Sequence, residues 1–332
     1  MTTASETEAA YTALAREALA AWGITKAVLS VLKIRENAVF AAALPDGTRY
    51  ALRIHRAGYH AAEALLSELT WADALNAAGI PTPRAVPTTD GAMAITLPLP
   101  GDGAACHVDL FEWIAGRQLG TSESGVEDPE TLPLTFERLG ELAAAVHLQS
   151  SGWTPPPGFQ RHAWDRAGLV GDQPLWGRFW ELAALSAGER ALMLKVRAAL
   201  DEGLARLPVS ADVYGLIHAD LVPENVLIEG DTLRLIDFDD CGYGWYLFEI
   251  ATALYFVEPS MQAAAKQHMI EGYRRHRPLS DAVLDDLDLL LLARGTTYLG
   301  WVHTRPETET AAEMTPALIE MLCERAEAWL GR

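Results

Sequence analysis

Cysteine, basic residues and long apolar runs are all scarce in this chain, and each shortage excludes a class of protein. The three cysteines, Cys106, Cys241 and Cys323, lie far apart, so the sequence predicts neither a disulfide framework nor a CxxC zinc site. Only 26 Lys and Arg stand against 45 Asp and Glu, and the net charge of −19 argues against nucleic acid or an anionic membrane surface as a partner. The apolar run at residues 289–292 is too short to span a bilayer.

The remaining composition favours a cytoplasmic protein with a sizeable core. The segment up to Trp22 is rich in Ala and Glu, without the basic start and apolar stretch of a signal peptide. No feature of the sequence indicates an obligate protein partner. The negative charge would attract a cationic substrate, although solubility is the simpler reason for it. Half of the 332 residues are hydrophobic, which is enough for one large domain or for two lobes with separate cores.

The most informative segment is the loop at residues 218–225. It reads His-Ala-Asp-Leu-Val-Pro-Glu-Asn, the pattern H-x-D-x-x-x-x-N, and is followed by Asp-Phe-Asp at residues 237–239. Phosphoryl transfer from ATP needs a carboxylate that accepts the proton of the acceptor hydroxyl, and a neutral oxygen and a second carboxylate that hold Mg²⁺. Asp220, Asn225 and Asp237 supply these groups in that order, and His218 opens the loop.

The flanks of this loop predict how its residues come together. Short apolar runs at residues 215–217, 226–228 and 233–236 indicate one strand before the loop and a hairpin after it, with Asp237 at the end of the second hairpin strand. The alternative is a polar loop whose Asp and Asn merely cap turns. The order of the residue types and their strand context favour the catalytic interpretation.

Periodicity divides the chain into two lobes, which we expect at residues 1–114 and 115–332. The first lobe begins with a helix that carries a Ser5-to-Glu8 capping box and ends near Gly23. Strands are predicted at residues 26–34, 38–43, 49–55, 85–86, 92–97 and 107–114, with a Pro-Asp-Gly turn at 45–47 and a helix at 59–78. The sequence therefore predicts an α+β lobe built on an antiparallel sheet.

The second lobe is predicted to be mostly helical. Its predicted helices lie at residues 136–149, 175–185, 189–207, 245–256, 262–275, 281–302 and 315–330. Residues 151–172 are rich in Pro and Gly and predict an irregular insertion.

The first lobe offers residue types suited to a nucleotide. Arg53, on the predicted third strand, stands where kinases place a basic residue that contacts the phosphates, and Glu68 on the next helix is its expected partner, with Glu63 as the competitor. Alternatively, Arg53 lies on the surface and Glu68 is solvated. No glycine lies in the turn at residues 35–38, so a Gly-rich phosphate loop is absent. The residues expected around the phosphates and the adenine are Asn37, Val39, Ala51, Leu227 and Ile236, with a hinge at Phe111, Glu112, Trp113 and Ile114.

Five segments together resemble the aminoglycoside phosphotransferase (APH) and homoserine kinase-like phosphotransferase family, in the protein-kinase-like superfamily. They are residues 52–56, 67–69, 110–116, 218–225 and 236–244. The resemblance implies a two-lobed protein-kinase-like fold that phosphorylates hydroxyl groups with ATP, or sometimes GTP, and magnesium. By position, Asp220 resembles the base, Asn225 and Asp237 the metal ligands, Arg53 the phosphate-binding residue and Glu68 its orienting partner. Ala219, where many members have Gly, and Arg53, where typical kinases have Lys, depart from the pattern.

The segment after Asp237 favours a small substrate over a protein. It contains no Ala-Pro-Glu, Asp239 replaces the glycine, and a predicted helix follows at once, which leaves no room for a peptide platform. The expected acceptor is an aminoglycoside-like molecule, an amino alcohol or a hydroxy amino acid. A bacterial stress-type Ser/Thr protein kinase and a non-catalytic nucleotide-binding pseudokinase remain as alternatives. The residues expected around the substrate are Asp239, Asp240, Trp245, Tyr246, Glu249, Tyr298 and Trp301.

Overall fold

The computed structural model describes residues 4–34, 37–99, 101, 103–120, 130–230 and 232–331. Its contacts divide the chain into two compact units, the first made of Met1–Gly116 with Pro155–Gln160 and the second of Arg117–Thr154 with Arg161–Arg332. The first unit contains an antiparallel sheet and the second is mostly helical, which confirms the predicted fold class. The boundary at residues 114/115 stays a prediction, because the contacts define compact units and not independently folding domains.

The first unit is built on a five-stranded antiparallel sheet. Helix α1 (Ala4–Ala18) continues into a 3₁₀ turn (Leu19–Trp22) that ends at Gly23, where φ is 67°. The strands are β1 (Val28–Ile34), β2 (Ala38–Ala43), β3 (Arg49–Ile54), β4 (Ile95–Pro98) and β5 (Ala105–Glu112), in the order β1-β2-β3-β5-β4. Helix α2 (Ala62–Ala77) follows β3. These elements agree with the predicted ones to within a few residues. The Ser5 side chain, and with it the predicted capping box, lies outside the described part of the structure.

Alternation along the strands separates the apolar core from the charged face of this sheet. Leu52 and Ile54 on β3 and Leu110 on β5 are buried in the core cluster that includes α1. Because successive side chains of a strand point to opposite faces, Arg53 lies on the other face. The strand register pairs Arg53 with Asp109 of β5, so these two side chains share that face.

The described part of the second unit consists of helices with two small sheets between them. The helices are α3 (Leu132–Gly152), α4 (Arg166–Val170), α5 (Ala187–Leu204), α6 (Tyr246–Tyr255), α7 (Pro259–His276), α8 (Asp281–Leu284), α9 (Leu287–His303) and α10 (Glu309–Leu330). The strands are β6 (Arg117–Gln118), β7 (Ala163–Trp164), β8 (Tyr214–Ile217), β9 (Val226–Glu229), β10 (Thr232–Leu235) and β11 (Gly242–Trp245). They form the three-stranded sheets β10-β9-β6 and β7-β11-β8.

Two helices of the second unit touch through their backbones. On α3, a Cβ atom added to Gly140 would lie 2.0 Å from the carbonyl oxygen of Met269, and on α7 one added to Gly272 would lie 1.9 Å from that of Glu137. Any larger side chain at either position would force the helices apart. The two glycines therefore set the distance between α3 and α7.

Several predicted elements of the second unit are corrected by the structure. The helix predicted at residues 175–185 is only a 3₁₀ turn (Phe179–Glu181), because Gly177 has a φ of 108° and its backbone packs closely on Thr304. The helix predicted at 281–302 is split into α8 and α9. Helix α10 begins at Glu309, capped by Thr308, and contains Pro316 in its first turns. Strand β11 and the short β7 and α4 within the irregular insertion were not predicted, and residues 85–86 form only an isolated bridge from Ala85.

Throughout the described ranges, every helix is too short or too polar to cross a membrane.

Candidate active site

The loop after β8 is held in place by His218. Its imidazole is fully buried, with Nδ1 accepting the backbone N–H of Asp220 (3.2 Å) and Nε2 lying 3.0 Å from the carbonyl oxygen of Ile236. Burial lowers the pKa of His218 to about 4, so the ring is neutral at pH 7 and Nε2 carries the proton that it donates to Ile236. His218 thereby ties the catalytic loop to the strand that leads into Asp237.

The backbone of the loop takes an unusual conformation at Ala219, and Glu249 stabilises it. Ala219 has a φ of 65°, in the left-handed region where alanine is strained. The Glu249 carboxylate on α6 accepts the backbone N–H groups of His218 (2.9 Å) and Ala219 (2.7 Å). Burial raises the pKa of Glu249 to about 7, although both hydrogen bonds favour its ionised form. Glu249 therefore anchors the loop from inside the helical core.

Asp220 and Asn225 form the pair expected of a base and a metal ligand. The Asn225 amide nitrogen donates to Oδ2 of Asp220 (2.6 Å) and to its backbone oxygen (3.0 Å). With Nδ2 used in this way, Oδ1 is the atom of Asn225 that suits a cation. Asn225 is buried, whereas the Asp220 side chain is 21% exposed and thus within reach of a small substrate.

Asp237 lies next to Asn225 because of the hairpin between them. Strands β9 and β10 pair antiparallel, and the backbone N–H of Ile236 donates to the carbonyl oxygen of Asn225 at 2.9 Å, closing the hairpin at its base. Asp237 follows with a φ of 64°. An amide oxygen and a carboxylate are hard oxygen donors that fit Mg²⁺, which takes one or two carboxylates and completes its shell with phosphate oxygens and water. Among the described residues no cluster of three His, Cys, Asp or Glu side chains forms a separate metal site.

The segment after Asp237 is held by three residues from the irregular insertion and the segment that follows it. Arg161 donates to the carbonyl oxygens of Asp239 and Cys241. The indole nitrogen of Trp164 donates to the carbonyl oxygen of Asp240 (2.8 Å), and that of Trp176 donates to its carboxylate (3.1 Å). The insertion, which the sequence left without a role, thus fixes the backbone beside the candidate metal ligands.

Arg294 is the residue of the second unit that sequence reasoning missed. It lies on α9 and is completely buried, and its guanidinium contacts the Asp220 carboxylate at 2.7 Å. A charged residue within the apolar stretch of α9 was the available signal, since a buried charge requires a partner.

In the first unit, Arg53 is the centre of a buried charge cluster. Its Nη2 lies 2.7 Å from Glu68 and 2.8 Å from Asp109, and its Nε lies 3.2 Å from the second oxygen of Asp109. The structure thus pairs Arg53 with Glu68 and adds Asp109, which the sequence analysis did not name. His55 also contacts Asp109, at 3.0 Å. Burial alone would raise the pKa of Asp109, but Arg53 and His55 hold it at about 2.

The other residues expected around the nucleotide are only partly brought together. Val39, Ala51 and Phe111 share the sheet face of Arg53, since the register pairs Val39 with Arg53 and Ala51 with Phe111. The Asn37 amide oxygen accepts the backbone N–H of Arg56 (3.1 Å), while residues 35 and 36 of the same turn lie outside the described part of the structure.

The hinge residues and the remaining apolar residues lie as follows. Strand β5 ends with Phe111 and Glu112, and Trp113 and Ile114 come directly after it. The Arg49 guanidinium covers the Trp113 ring at 3.7 Å from the ring centroid. In the second unit, Leu227 lies on β9 and Ile236 directly follows β10, both partly buried. Their contact with a nucleotide stays a prediction.

The residues expected around the substrate divide into two groups. Trp245 donates to the carbonyl oxygen of Pro208 (2.9 Å), Tyr246 stacks on His147 with ring centroids 4.4 Å apart, and Glu249 anchors the loop, so all three lie in the core with internal partners. Of the other four, Asp240 accepts a hydrogen bond from Trp176 through its carboxylate (3.1 Å) and Tyr298 accepts one from Arg294 (2.9 Å). The contact of Trp245, Tyr246, Glu249, Asp239, Asp240, Tyr298 and Trp301 with a substrate stays a prediction.

The fold and these two constellations are those of a protein-kinase-like phosphotransferase. Residues 30–279 match the model of the phosphotransferase enzyme family (APH), and the chain belongs to that family. It is a kinase, as the sequence analysis predicted. The predicted family resemblance is confirmed.

The relatives include two kinds of small-molecule kinase. The amicoumacin kinase of Bacillus subtilis is 27% identical over 308 residues, covering 90% of this chain and 86% of that protein. The homoserine kinase of Rhodospirillum rubrum is 30% identical over 249 residues, covering 70% and 68%.

Two solved structures extend the comparison. A microcompartment-associated aminopropanol kinase is 31% identical with a TM-score of 0.85, covering 96% of this chain and 98% of that one. An amicoumacin kinase in complex with AMP-PNP, Ca²⁺ and Ami is 22% identical with a TM-score of 0.75, covering 98% and 96%, and shares the fold.

Proposed function

We propose that this kinase transfers the γ-phosphate of ATP, with Mg²⁺, to the hydroxyl of a small amino alcohol or hydroxy amino acid in the cytoplasm. The observation that carries the proposal is the Asp220–Asn225 pair. Asn225 directs its amide nitrogen to Asp220, which leaves its oxygen for a cation and keeps the carboxylate in place as a hydroxyl acceptor. Asp237, at the base of the same hairpin, supplies the second oxygen ligand.

Each residue of the candidate site then has a defined role. Asp220 accepts the proton of the substrate hydroxyl as the hydroxyl oxygen attacks the γ-phosphorus and ADP leaves, and Asn225 and Asp237 would hold the metal ion, which would neutralise charge on the phosphates. Arg53, fixed by Glu68, contacts the α- and β-phosphates. GTP in place of ATP is the alternative donor.

The choice of acceptor rests on the short segment after Asp237 and on the relatives. Helix α6 begins at Tyr246, and strand β11 fills half of the short segment between Asp237 and this helix, which supports a small acceptor over a protein. Three of the relatives act on amicoumacin, homoserine and aminopropanol, as their names state. The aminopropanol kinase, at 31% identity and almost full coverage, favours an amino alcohol among these. Aminoglycosides are the weaker candidate.

The proposal is tested by measuring ADP release with Mg²⁺ and ATP. The acceptors to compare are 1-amino-2-propanol, ethanolamine, homoserine, an aminoglycoside and a generic protein substrate. Asp220→Ala should abolish turnover while ATP binding, measured by calorimetry, is retained, and Asp212→Ala, an exposed aspartate, serves as the matched control. Near-normal turnover by Asp220→Ala would refute the assignment of the base. Phosphorylation of the protein substrate alone would establish the protein-kinase alternative.

A further inference from the structure

Arg294 carries a charge in the middle of an apolar helix. Its neighbours on α9 include Leu291, Leu292 and Ala293, all buried, and Arg294 itself is fully buried. An arginine stays protonated in proteins, and an unpaired buried charge costs several kcal/mol, so this position requires compensating partners. The identity of those partners indicates the role of Arg294.

Two of its three hydrogen-bond partners belong to the catalytic loop. The Nη1 atom of Arg294 donates to the carbonyl oxygen of Ala219 (3.0 Å), and Nη2 donates to Oδ1 of Asp220 (2.7 Å) and to the hydroxyl of Tyr298 (2.9 Å). Tyr298 is one helical turn further along α9, so it faces the same side of the helix. The guanidinium thus spans from its own helix to the loop.

Aromatic rings enclose the guanidinium. Its central carbon lies 4.4 Å from the ring centroid of Tyr298, 4.8 Å from that of Trp176 and 5.8 Å from that of Phe248. These rings come from α9, from the segment before the 3₁₀ turn and from α6. Cation–π contacts of this kind stabilise a desolvated cation and restrict its movement. Arg294 is therefore a rigid support and not a mobile surface side chain.

Hydrogen bonds consequently hold the Asp220 carboxylate at both of its oxygens. Oδ1 accepts from Arg294 and Oδ2 accepts from Asn225, at 2.7 and 2.6 Å. Two fixed donors define the plane of the carboxylate and hence the direction from which the hydroxyl must approach. Phosphoryl transfer depends mainly on such positioning and less on a strong base.

We propose that Arg294 is a positioning residue for the phosphoryl-transfer step, because it sets the orientation of the Asp220 carboxylate toward the substrate hydroxyl. The inference rests on the proposed role of Asp220 as the base. A purely structural role, in which Arg294 only fastens α9 to the loop, would change stability but not the turnover of the folded enzyme. The two roles are separable by experiment.

The experiment compares Arg294→Met, Arg294→Lys and Arg277→Met, with kcat and KM measured per folded molecule. Arg277 is the matched control, because it is also buried, lies over the Tyr246 ring at 4.5 Å and donates to the carbonyl oxygens of Ala211 and Asp212, away from Asp220. A misplaced catalytic group costs roughly 100-fold in rate, so Arg294→Met should lower kcat by about that factor with little change in the KM for ATP. Arg294→Lys should recover part of the loss, and Arg277→Met should affect stability alone.

Chemical rescue supplies a readout that a structural role would not move. In Arg294→Ala, guanidinium ion at low millimolar concentration should restore kcat in a saturable manner, while urea, which is similar in shape but neutral, should not. Should the Arg294 variants fail to fold, Tyr298→Phe removes a single hydroxyl from the support and should lower kcat by roughly 3- to 10-fold with ATP binding unchanged.

The outcomes separate the two proposals. If Arg294→Met folds and its kcat is unchanged, the inference is overturned and Asp220 remains the base. If the Arg294 variants do not fold, an unchanged kcat in Tyr298→Phe has the same meaning. If Asp220→Ala is itself active, the proposed function fails and the role of Arg294 fails with it. If Asp220→Ala is inactive and both the loss in Arg294→Met and the guanidinium rescue are observed, both proposals stand.

Discussion

The Oε2 atom of Glu249 lies 2.7 Å from the backbone nitrogen of Ala219, so a carboxylate buried in helix α6 fixes the strained residue that precedes the candidate base. The other oxygen of Glu249 accepts the N–H of His218. The loop would otherwise leave both donors buried without a partner, at a cost of about 1–3 kcal/mol each. Glu249 thus serves the site by holding the backbone of the loop.

Glu249→Gln should destabilise the protein, because the amide offers one acceptor oxygen where two N–H groups need one each. The expected loss in unfolding free energy is about 2 kcal/mol, measured by urea denaturation. The control is Glu258→Gln, since Glu258 also accepts a backbone N–H, from Ser260 at 3.0 Å, but is exposed. Equal losses in the two variants would contradict the anchoring role of Glu249.

Ala219→Gly should leave the enzyme active and change its stability little. Glycine removes the strain of a left-handed alanine, about 1 kcal/mol, but adds a similar entropy cost in the unfolded chain. Ala219→Val, by contrast, places a β-branched side chain in a fully buried left-handed position and should lower kcat at least tenfold. Steady-state kinetics on both variants provide the check, and a sharp drop in kcat for the glycine variant would speak against the strain argument.

Asp109→Asn should remove a pH-dependent part of the stability. The folded pKa of Asp109, about 2, lies below its ordinary value of 3.8, so its contribution is present above pH 3.8 and is lost as the pH falls toward 2. The difference in unfolding free energy between wild type and variant should therefore shrink by about 2 kcal/mol from pH 5 to pH 2. Urea titrations across this range measure it.

The control for Asp109→Asn is Asp201→Asn. Asp201 makes the same two-pronged contact with an arginine, Arg166 at 2.6 and 2.7 Å, but its side chain is 41% exposed. Solvent screens an exposed pair, so this variant should cost less than about 1 kcal/mol. A pH-independent difference for Asp109→Asn would show that Arg53 does not hold the Asp109 carboxylate ionised.

Gly272→Ala should separate α7 from α3. The added Cβ atom would lie 1.9 Å from the carbonyl oxygen of Glu137, a backbone atom that cannot turn aside, and the expected destabilisation is about 3 kcal/mol or more. Gly188→Ala is the control, because Gly188 lies in helix α5 with open space around its Cβ position, and alanine there should stabilise the helix by up to about 1 kcal/mol. Thermal unfolding of the two variants should shift in opposite directions.

Local pattern was sufficient to predict the hairpin beside the candidate catalytic loop and the first three strands of the first unit. Strand β2 has the predicted bounds, and short apolar runs between Asn225 and Asp237 form the predicted hairpin. Only contacts within a short stretch of chain were needed for these results.

Long-range contacts were beyond the reach of the sequence. Arg294 and Asp220 are separated by 74 positions, and Arg53 and Asp109 by 56, and no periodic pattern links either pair. Tertiary packing also explains the wrong helix at residues 175–185, where Gly177 takes a positive φ to pass the backbone of Gly300. Trp245 and Tyr246 were assigned to a substrate by their type, although their burial depends on helices that lie far away in sequence.

The hydrogen bond from Ile236 to Asn225 has a consequence for chain length. Because it closes the hairpin at its base, the positions of Asn225 and Asp237 depend on that closure and not on the number of residues between β9 and β10. Hairpin tips tolerate insertions well. Extra residues between Glu229 and Thr232 should thus leave both candidate metal ligands where they are, which makes this position the natural place for a fluorescent reporter or an affinity tag in an enzyme that must stay active.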